Sequence, residues 1–334
     1  MLDIAIKERI FEKEEKFLSK YATKSNCSKG RLKEEEPCKM RTEFQRDRDR
    51  IIYSKAFVRL KNKTQVFFSP EGDHYMTRLT HTFAVMQVAR SIARSLDLNE
   101  DLAEAISLGH DLGHTPFGHA GERVLNSLSK KGFKHNEQSL RVVDYIENDL
   151  NGLNLTLEVR DGILNHKISG NPITVEGQIV SLADRIAYLN HDIEDAIRGK
   201  IIKKEDIPSE ITQILGKTER ERINTLISSV YTASYDKDKI SLTSDVDKAL
   251  NELRKFMFEN VYFSKTALQE EDKAYRMLSC LFNYFIENTN KLPNLYKKLL
   301  QNFDKEEVVC DYISGMTDRY ATTVFKSLFI PDNF

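Results

Sequence analysis

The sequence predicts an all-α protein with at most one small β-hairpin. Only 14 Gly and 7 Pro punctuate 334 residues, and over long segments apolar residues recur at three- and four-residue spacing. One stretch breaks that pattern: "TQVFFSPEGDHYM" places two short β-prone runs around Ser69-Pro70-Glu71-Gly72, a hairpin turn by composition. In chain order, an N-terminal helix is followed at 21–40 by "YATKSNCSKGRLKEEEPCKM", polar and aperiodic, which predicts a mobile connection. Residues 41–200 form the expected chemical core. Residues 201–334 read as amphipathic helices packed on it, "SDVDKALNELRKFMFENVY" being one whose charges belong on an outer face.

Composition narrows the function. Fifty basic residues against fifty-one acidic ones leave no global field to recruit nucleic acid. No run of eighteen apolar residues offers a membrane span, and the opening "MLDIAIKERIFEKEEKF" lacks the order of a signal peptide, so the cytoplasm is the expected compartment. Cys27, Cys38, Cys280 and Cys310 lack the spacing of a zinc ribbon or a disulfide framework and are expected to stay reduced.

Three helices carry polar groups on their apolar stripes. In "HTFAVMQVARSIARSL", Val85, Val88, Ile92 and Leu96 share a face, and a step of four back from Val85 reaches His81. In "NEDLAEAISLGHD", Asn99 is a natural N-cap, and Leu102, Ile106 and His110 follow at spacings of four. In "VEGQIVSLADRIAYLNHDIEDAI", Asp184 lies on a stripe with Val180, Ala187, Tyr188 and Asp192. Each alone reads as a hydrogen-bonded core residue or, for Asp184, as a partner of Arg185. Together with Asp111 they amount to two imidazoles and two carboxylates turned inward, which would cost several kcal/mol per uncompensated charge. A divalent cation would compensate them. Adjacent residues on a helix diverge by about 100°, so His110 and Asp111 share one ion only if the helix ends there, and Gly113 and Pro116 supply the ending. Histidine with carboxylate suits Mn, Fe or Mg better than a structural zinc.

His81, then His110-Asp111, then Asp184 resembles the H…HD…D signature of HD phosphohydrolases. The flanking text, "RDRDRIIYSKAFVRLKNKTQVF", "YMTRLTHT", "HDLGHTPFGHAGE", "ADRIAYLNHDIEDAI" and "DYISGMTDRYA", resembles in order the short bacterial type of the deoxyguanosinetriphosphate triphosphohydrolase family over roughly residues 41–325. The resemblance implies a helical HD-domain fold and metal-dependent cleavage of deoxynucleoside triphosphates to deoxynucleoside and inorganic triphosphate. It implies Mn²⁺, Mg²⁺, Co²⁺ or Fe²⁺ as cofactor, held by His81, His110, Asp111 and Asp184. A homo-oligomer, hexameric or otherwise even, is implied too, and single-stranded DNA is a further candidate partner. Carried over by position, His119 and Glu122 take the place of the catalytic histidine and its acidic partner, with His114 beside the phosphates. Gln65 matches a residue near the sugar or base, Arg78 and Arg185 match triphosphate contacts, and Tyr188 and Asp192 match residues that grip deoxyribose. His135 and Glu137, in "FKHNEQS", fall near the substrate. The long insertions of the dGTP-specific enzymes are missing, so their base preference does not carry over.

On this reading Arg78 and Arg185 hold phosphates, and His119, backed by Glu122, serves as acid or nucleophile. Tyr188 disfavours a 2′-hydroxyl by sterics. The bland alternative is that His114 and His119 cap helix ends while Glu122 is solvated. Two rival functions are another HD phosphohydrolase, such as a 5′-deoxynucleotidase or alarmone hydrolase, and a catalytically silent protein that binds nucleotide or single-stranded nucleic acid.

Overall fold

Helix starts in this chain are written by threonine and asparagine caps. Thr42 opens Glu43–Ile52 with a reciprocal capping box, its hydroxyl accepting from the Gln45 amide while the Gln45 side chain accepts from the Thr42 amide. Asn99 opens Glu100–Gly109 by accepting from the Leu102 amide at 3.2 Å, as its position predicts. Thr174 opens Val175–Arg198, the long helix expected from "VEGQIVSLADRIAYLNHDIEDAI". The computed structural model describes residues 5–65 and 76–331, and among these no strand forms. The chain is all-α, as expected. Thr64 and Thr77 make an isolated antiparallel bridge at the base of the expected hairpin, whose turn lies outside the described residues. No helix of the described residues is long and apolar enough to cross a membrane.

The chain divides into two compact units, one from residues 1–53, 81–110 and 153–264, the other from 54–80, 111–152 and 265–334. The units interleave along the sequence, so the stretches 41–200 and 201–334 each contribute to both.

In the first unit, Glu100–Gly109 packs against Glu43–Ile52, Leu157–Asn165 and Val175–Arg198. Its core contains Ile51, Val85, Ile92, Leu102, Ile106, Ile163, Ile179 and Ile186, all fully buried. Such side chains stabilise the unit by about 1.5–3 kcal/mol each. Glycine sets one crossing. A Cβ on Gly109 would stand 2.5 Å from the Ile163 Cδ1, and one on Gly162 would stand 2.5 Å from the Ile106 Cδ1. This reciprocal close approach brings together the C-terminal ends of two helices, and each is capped by a histidine, His110 and His166. Ser244–Met257 buries Val246, Ala249, Leu250, Leu253 and Met257 and turns its charges outward, as its spacing predicts.

The first half of the stretch 21–40 departs from expectation: residues 23–31 are tied down by hydrogen bonds to buried acids, while 32–37 are exposed. Thr23 bonds Glu176 through amide and hydroxyl, Ser25 bonds Glu14 in the same two ways, and the Lys29 amide donates to Glu158. Arg31 pairs with Glu43 and the fully buried Asp47. Polarity over 23–31 satisfies buried carboxylates.

In the second unit, Gly118–Leu128 packs on Lys265–Glu287. Val124, Leu125, Phe133, Leu278, Phe282, Phe285, Val308 and Ile313 make one apolar cluster beneath the histidine-bearing turn.

Candidate active site

The first unit assembles His81, His110 and Asp184 from three helices. His81 and His110 are fully buried, while the Asp184 side chain keeps 25% of its surface open. One oxygen serves both rings: Asp184 Oδ1 lies 3.0 Å from His81 Nε2 and 3.8 Å from His110 Nε2, with ring centroids 5.7 Å apart. His110 Nδ1 is 2.6 Å from the Ser107 carbonyl and donates to it. In the neutral ring this turns the Nε2 lone pair toward the Asp184 carboxylate. Two electron-rich atoms face each other, the arrangement a cation between them stabilises.

Asp184 shares its helix with three further expected residues. Arg185 donates to Asn251 Oδ1 at 2.7 Å. Tyr188 is half-buried, and burial raises its hydroxyl pKa above the ordinary value. Asp192 is buried and accepts from the Tyr262 hydroxyl. Burial first, and Asp192 beside it, push the Tyr262 pKa well above the usual range, so the tyrosine stays a donor.

The second unit assembles the rest. Asp111 accepts from Arg78 at 2.7 Å, and the same guanidinium donates to the Gln65 carbonyl at 3.2 Å. Arg78, expected to meet phosphate, is fully buried and engaged with a carboxylate. The side-chain carbonyl of Gln65 and Nδ1 of His114 are buried without a hydrogen-bond partner among the described residues. Buried polar atoms of this kind normally have one.

From Asp111 the chain turns sharply into Gly118–Leu128. Gly113 is required by close approach, since a Cβ there would stand 2.2 Å from the Ser139 amide nitrogen. Phe117 adopts φ +61° and Gly118 φ +56°. For a phenylalanine this left-handed backbone costs about 1–3 kcal/mol, a strain concentrated at functional sites. The turn delivers His114, His119 and Glu122 to one cluster with His135. His114 stacks on His135 with centroids 4.5 Å apart, and His119 stands 5.1 Å from His114. Glu122 Oε2 lies 3.2 Å from His119 Nδ1 and 2.8 Å from His135 Nδ1, while its Oε1 accepts from the His135 amide at 3.0 Å. Burial alone would raise the Glu122 pKa, yet the bonds from His119 and His135 outweigh it and hold the carboxyl far below its usual range. Burial first, then Arg78 and His135, push His114 well below the ordinary imidazole value. His119 is the exposed member, with 56% of its side chain open. Glu137 lies outside the cluster, exposed and paired with Lys134 at 2.8 Å.

Residues 78–189 match the HD domain family, and residues 240–327 match the Phosphohydrolase-associated domain. A deoxyguanosinetriphosphate triphosphohydrolase-like protein from Caldanaerobacter subterraneus subsp. tengcongensis is 56% identical over 326 residues, covering 98% of this chain and 96% of its own. A protein of the same description from Clostridium perfringens strain SM101 is 48% identical, covering 98% of both. The chain belongs to the deoxyguanosinetriphosphate triphosphohydrolase-like family of HD-domain proteins. The crystal structure of a phosphohydrolase from Bacteroides thetaiotaomicron has the same fold, with TM-score 0.55 at 19% identity over 84% of this chain and 68% of that one. By class this HD-domain protein is a phosphohydrolase.

The donors fit the divalent ion that HD domains bind: imidazole nitrogens and a carboxylate oxygen, with no thiolate among them. The sequence reading missed four neighbours. His166 caps its helix as His110 does, with Nδ1 2.7 Å from the Ile163 carbonyl and its ring 5.1 Å from that of His110. His191 lies 6.1 Å from the His81 ring, and burial with His81 beside it pushes its pKa down to about 4. Periodicity could have found His191, seven residues beyond Asp184 on the same stripe. Tyr262 and Asn251 carry no local signal; Tyr262 sits on a π-helical turn, Phe258–Tyr262, 70 residues from Asp192.

Proposed function

We propose that this phosphohydrolase cleaves deoxynucleoside triphosphates, dGTP among them, to the deoxynucleoside and inorganic triphosphate, in the cytoplasm and with Mn²⁺, Mg²⁺, Co²⁺ or Fe²⁺. The observation that carries the reading is the single Asp184 oxygen facing Nε2 of both His81 and His110, with the His110 tautomer set by the Ser107 carbonyl. With Asp111, next in the chain to His110, these residues would hold the ion. When bound, such an ion supplies a polarised α-phosphate and a water of lowered pKa.

The chain's own residues do the rest. Water adds to the α-phosphorus, the bond from phosphorus to the 5′-oxygen breaks, and that oxygen needs a proton. His119 supplies it from Nε2, because its Nδ1 is held by Glu122. His135 shares the Glu122 carboxylate and fixes it. His114 and Gln65 present buried polar atoms suited to a polar substrate. Arg185 supplies charge for phosphate, and Arg78 orients Asp111. Asp192 and Tyr262, an acceptor and a donor, suit the 3′-hydroxyl, and Tyr188 excludes a 2′-hydroxyl. An even homo-oligomer, such as a hexamer, and single-stranded DNA as a partner are further parts of the proposal.

The test is a panel of dNTPs with Mn²⁺, Mg²⁺ or Co²⁺, resolving nucleoside and phosphate products, with Asp184→Ala as control. Nucleoside plus triphosphate is the expected result. Orthophosphate or pyrophosphate would indicate another HD phosphohydrolase, and binding without turnover a silent nucleotide-binding protein.

A further inference from the structure

The turn that carries His114 and His119 is pinned in the second unit by two groups, half-buried Asp318 and buried Lys63, that neither the HD signature nor the proposed reaction uses. The Asp318 carboxylate bridges two backbone amides, accepting from Phe117 at 3.0 Å through Oδ1 and from Thr64 at 2.9 Å through Oδ2. Lys63, 2% exposed, donates through Nζ to the carbonyl of His114 and to that of Ser314 at 2.7 Å. Gly118 closes against the same strip, where a Cβ would stand 2.6 Å from the Gln65 carbonyl oxygen. The turn is therefore held at His114, Phe117 and Gly118, between residues 63–65 on one side and 314–318 on the other.

We infer that Asp318 is a positioning residue: its carboxylate holds the Phe117 amide in the left-handed turn and thereby aims the first helical turn that bears His119 and Glu122. Phe117 is the residue whose backbone needs help, since φ +61° is unfavourable for a phenylalanine. A carboxylate accepting two backbone amides is a charge-assisted contact strong enough to over-determine that conformation. Without it, relaxation at Phe117 re-aims a helix whose second residue is His119. The inference also gives a physical reason why the two matched segments occur together. Asp318 belongs to the Phosphohydrolase-associated stretch 240–327, and Phe117 to the HD stretch 78–189.

The inference rests on the proposed proton-donating role of His119, and its test separates the two. Asp318→Asn and Asp318→Ala are compared with wild type for kcat, KM, bound metal and amide exchange over residues 112–122 by mass spectrometry. Asp318→Asn preserves shape and loses one amide bond, so it decides the matter if Asp318→Ala fails to fold. The expected result is faster exchange and a kcat lowered by about tenfold or more, with KM and metal content within about twofold of wild type, as for a misaimed acid. Unchanged kcat with unchanged exchange overturns the inference, and so does a kcat loss matched by loss of metal or a rise in KM. If wild type releases no triphosphate, the proposed function fails, and exchange alone then judges Asp318: faster exchange supports the pin and unchanged exchange overturns it.

Discussion

The two histidine groups differ in what their Nδ1 atoms hold. In the first unit, His110 and His166 each donate to a backbone carbonyl three residues back, at the end of a helix. A backbone carbonyl there fixes Nδ1 as the donor and turns Nε2 to the opposite side of the ring. In the second unit, His119 and His135 both turn Nδ1 to the Glu122 carboxylate. The acceptor there is a carboxylate shared by two rings. The same side chain is thus held by two kinds of acceptor, and exposure follows the same division. His81 and His110 are sealed, while His119 has more than half its side chain open.

The strongest way to break this comparison is to remove the carboxylate that His81 and His110 share. Asp184→Ala is expected to lose bound metal by elemental analysis and to lose about 10³-fold or more in triphosphate release, since a catalytic metal contributes several kcal/mol. Full metal content in that variant would assign the ion elsewhere. His119→Ala comes next, with kcat reduced by about 10²–10⁴-fold while metal content stays at the wild-type level. Loss of metal there would merge the two groups into one. Glu122→Gln should reduce kcat by less than His119→Ala, because His119 itself remains. Its effect on stability has a defined sign. The Glu122 pKa is lowered on folding, so its contribution is complete above the unfolded value of 4.5 and declines as pH falls below it. The gap in melting temperature between wild type and Glu122→Gln should therefore be widest near neutrality and narrow under acid; a constant gap would show that the carboxylate charge is not what matters. The smallest change concerns selectivity. Tyr188→Ala should narrow the preference for deoxy over ribo substrates by about tenfold, read as the ratio of kcat/KM values, with metal content unchanged. An unaltered ratio would remove Tyr188 from sugar discrimination.

Much of this was legible in the chain because helical periodicity carries direction. Spacings of three and four from Val85, Leu102 and Val180 turn His81, His110 and Asp184 inward, and the first unit brings those three together. Asn99 announces a helix start and is found capping it. Residues 23–29 depart from the expected mobile connection because composition alone cannot tell polar atoms that face water from those that reach the buried Glu14, Glu158 and Glu176. The helix ends at Gly109, before Gly113, as the sequence predicts, while the nearby backbone of Ser139, which gives Gly113 a second reason to lack a side chain, leaves no local signal.

The sequence by itself determined the helical class, the caps, and which side chains on each helix face inward, since these depend on contacts within a few residues. Only the tertiary structure decided that Gly109 and Gly162 cross closely enough to bring His110 and His166 to 5.1 Å, and that Tyr262 reaches Asp192. It alone decided that Asp318 crosses 201 positions to hold Phe117. A periodic pattern states which way a side chain points and is silent about what it meets, because the partner's position depends on packing between elements far apart in the chain.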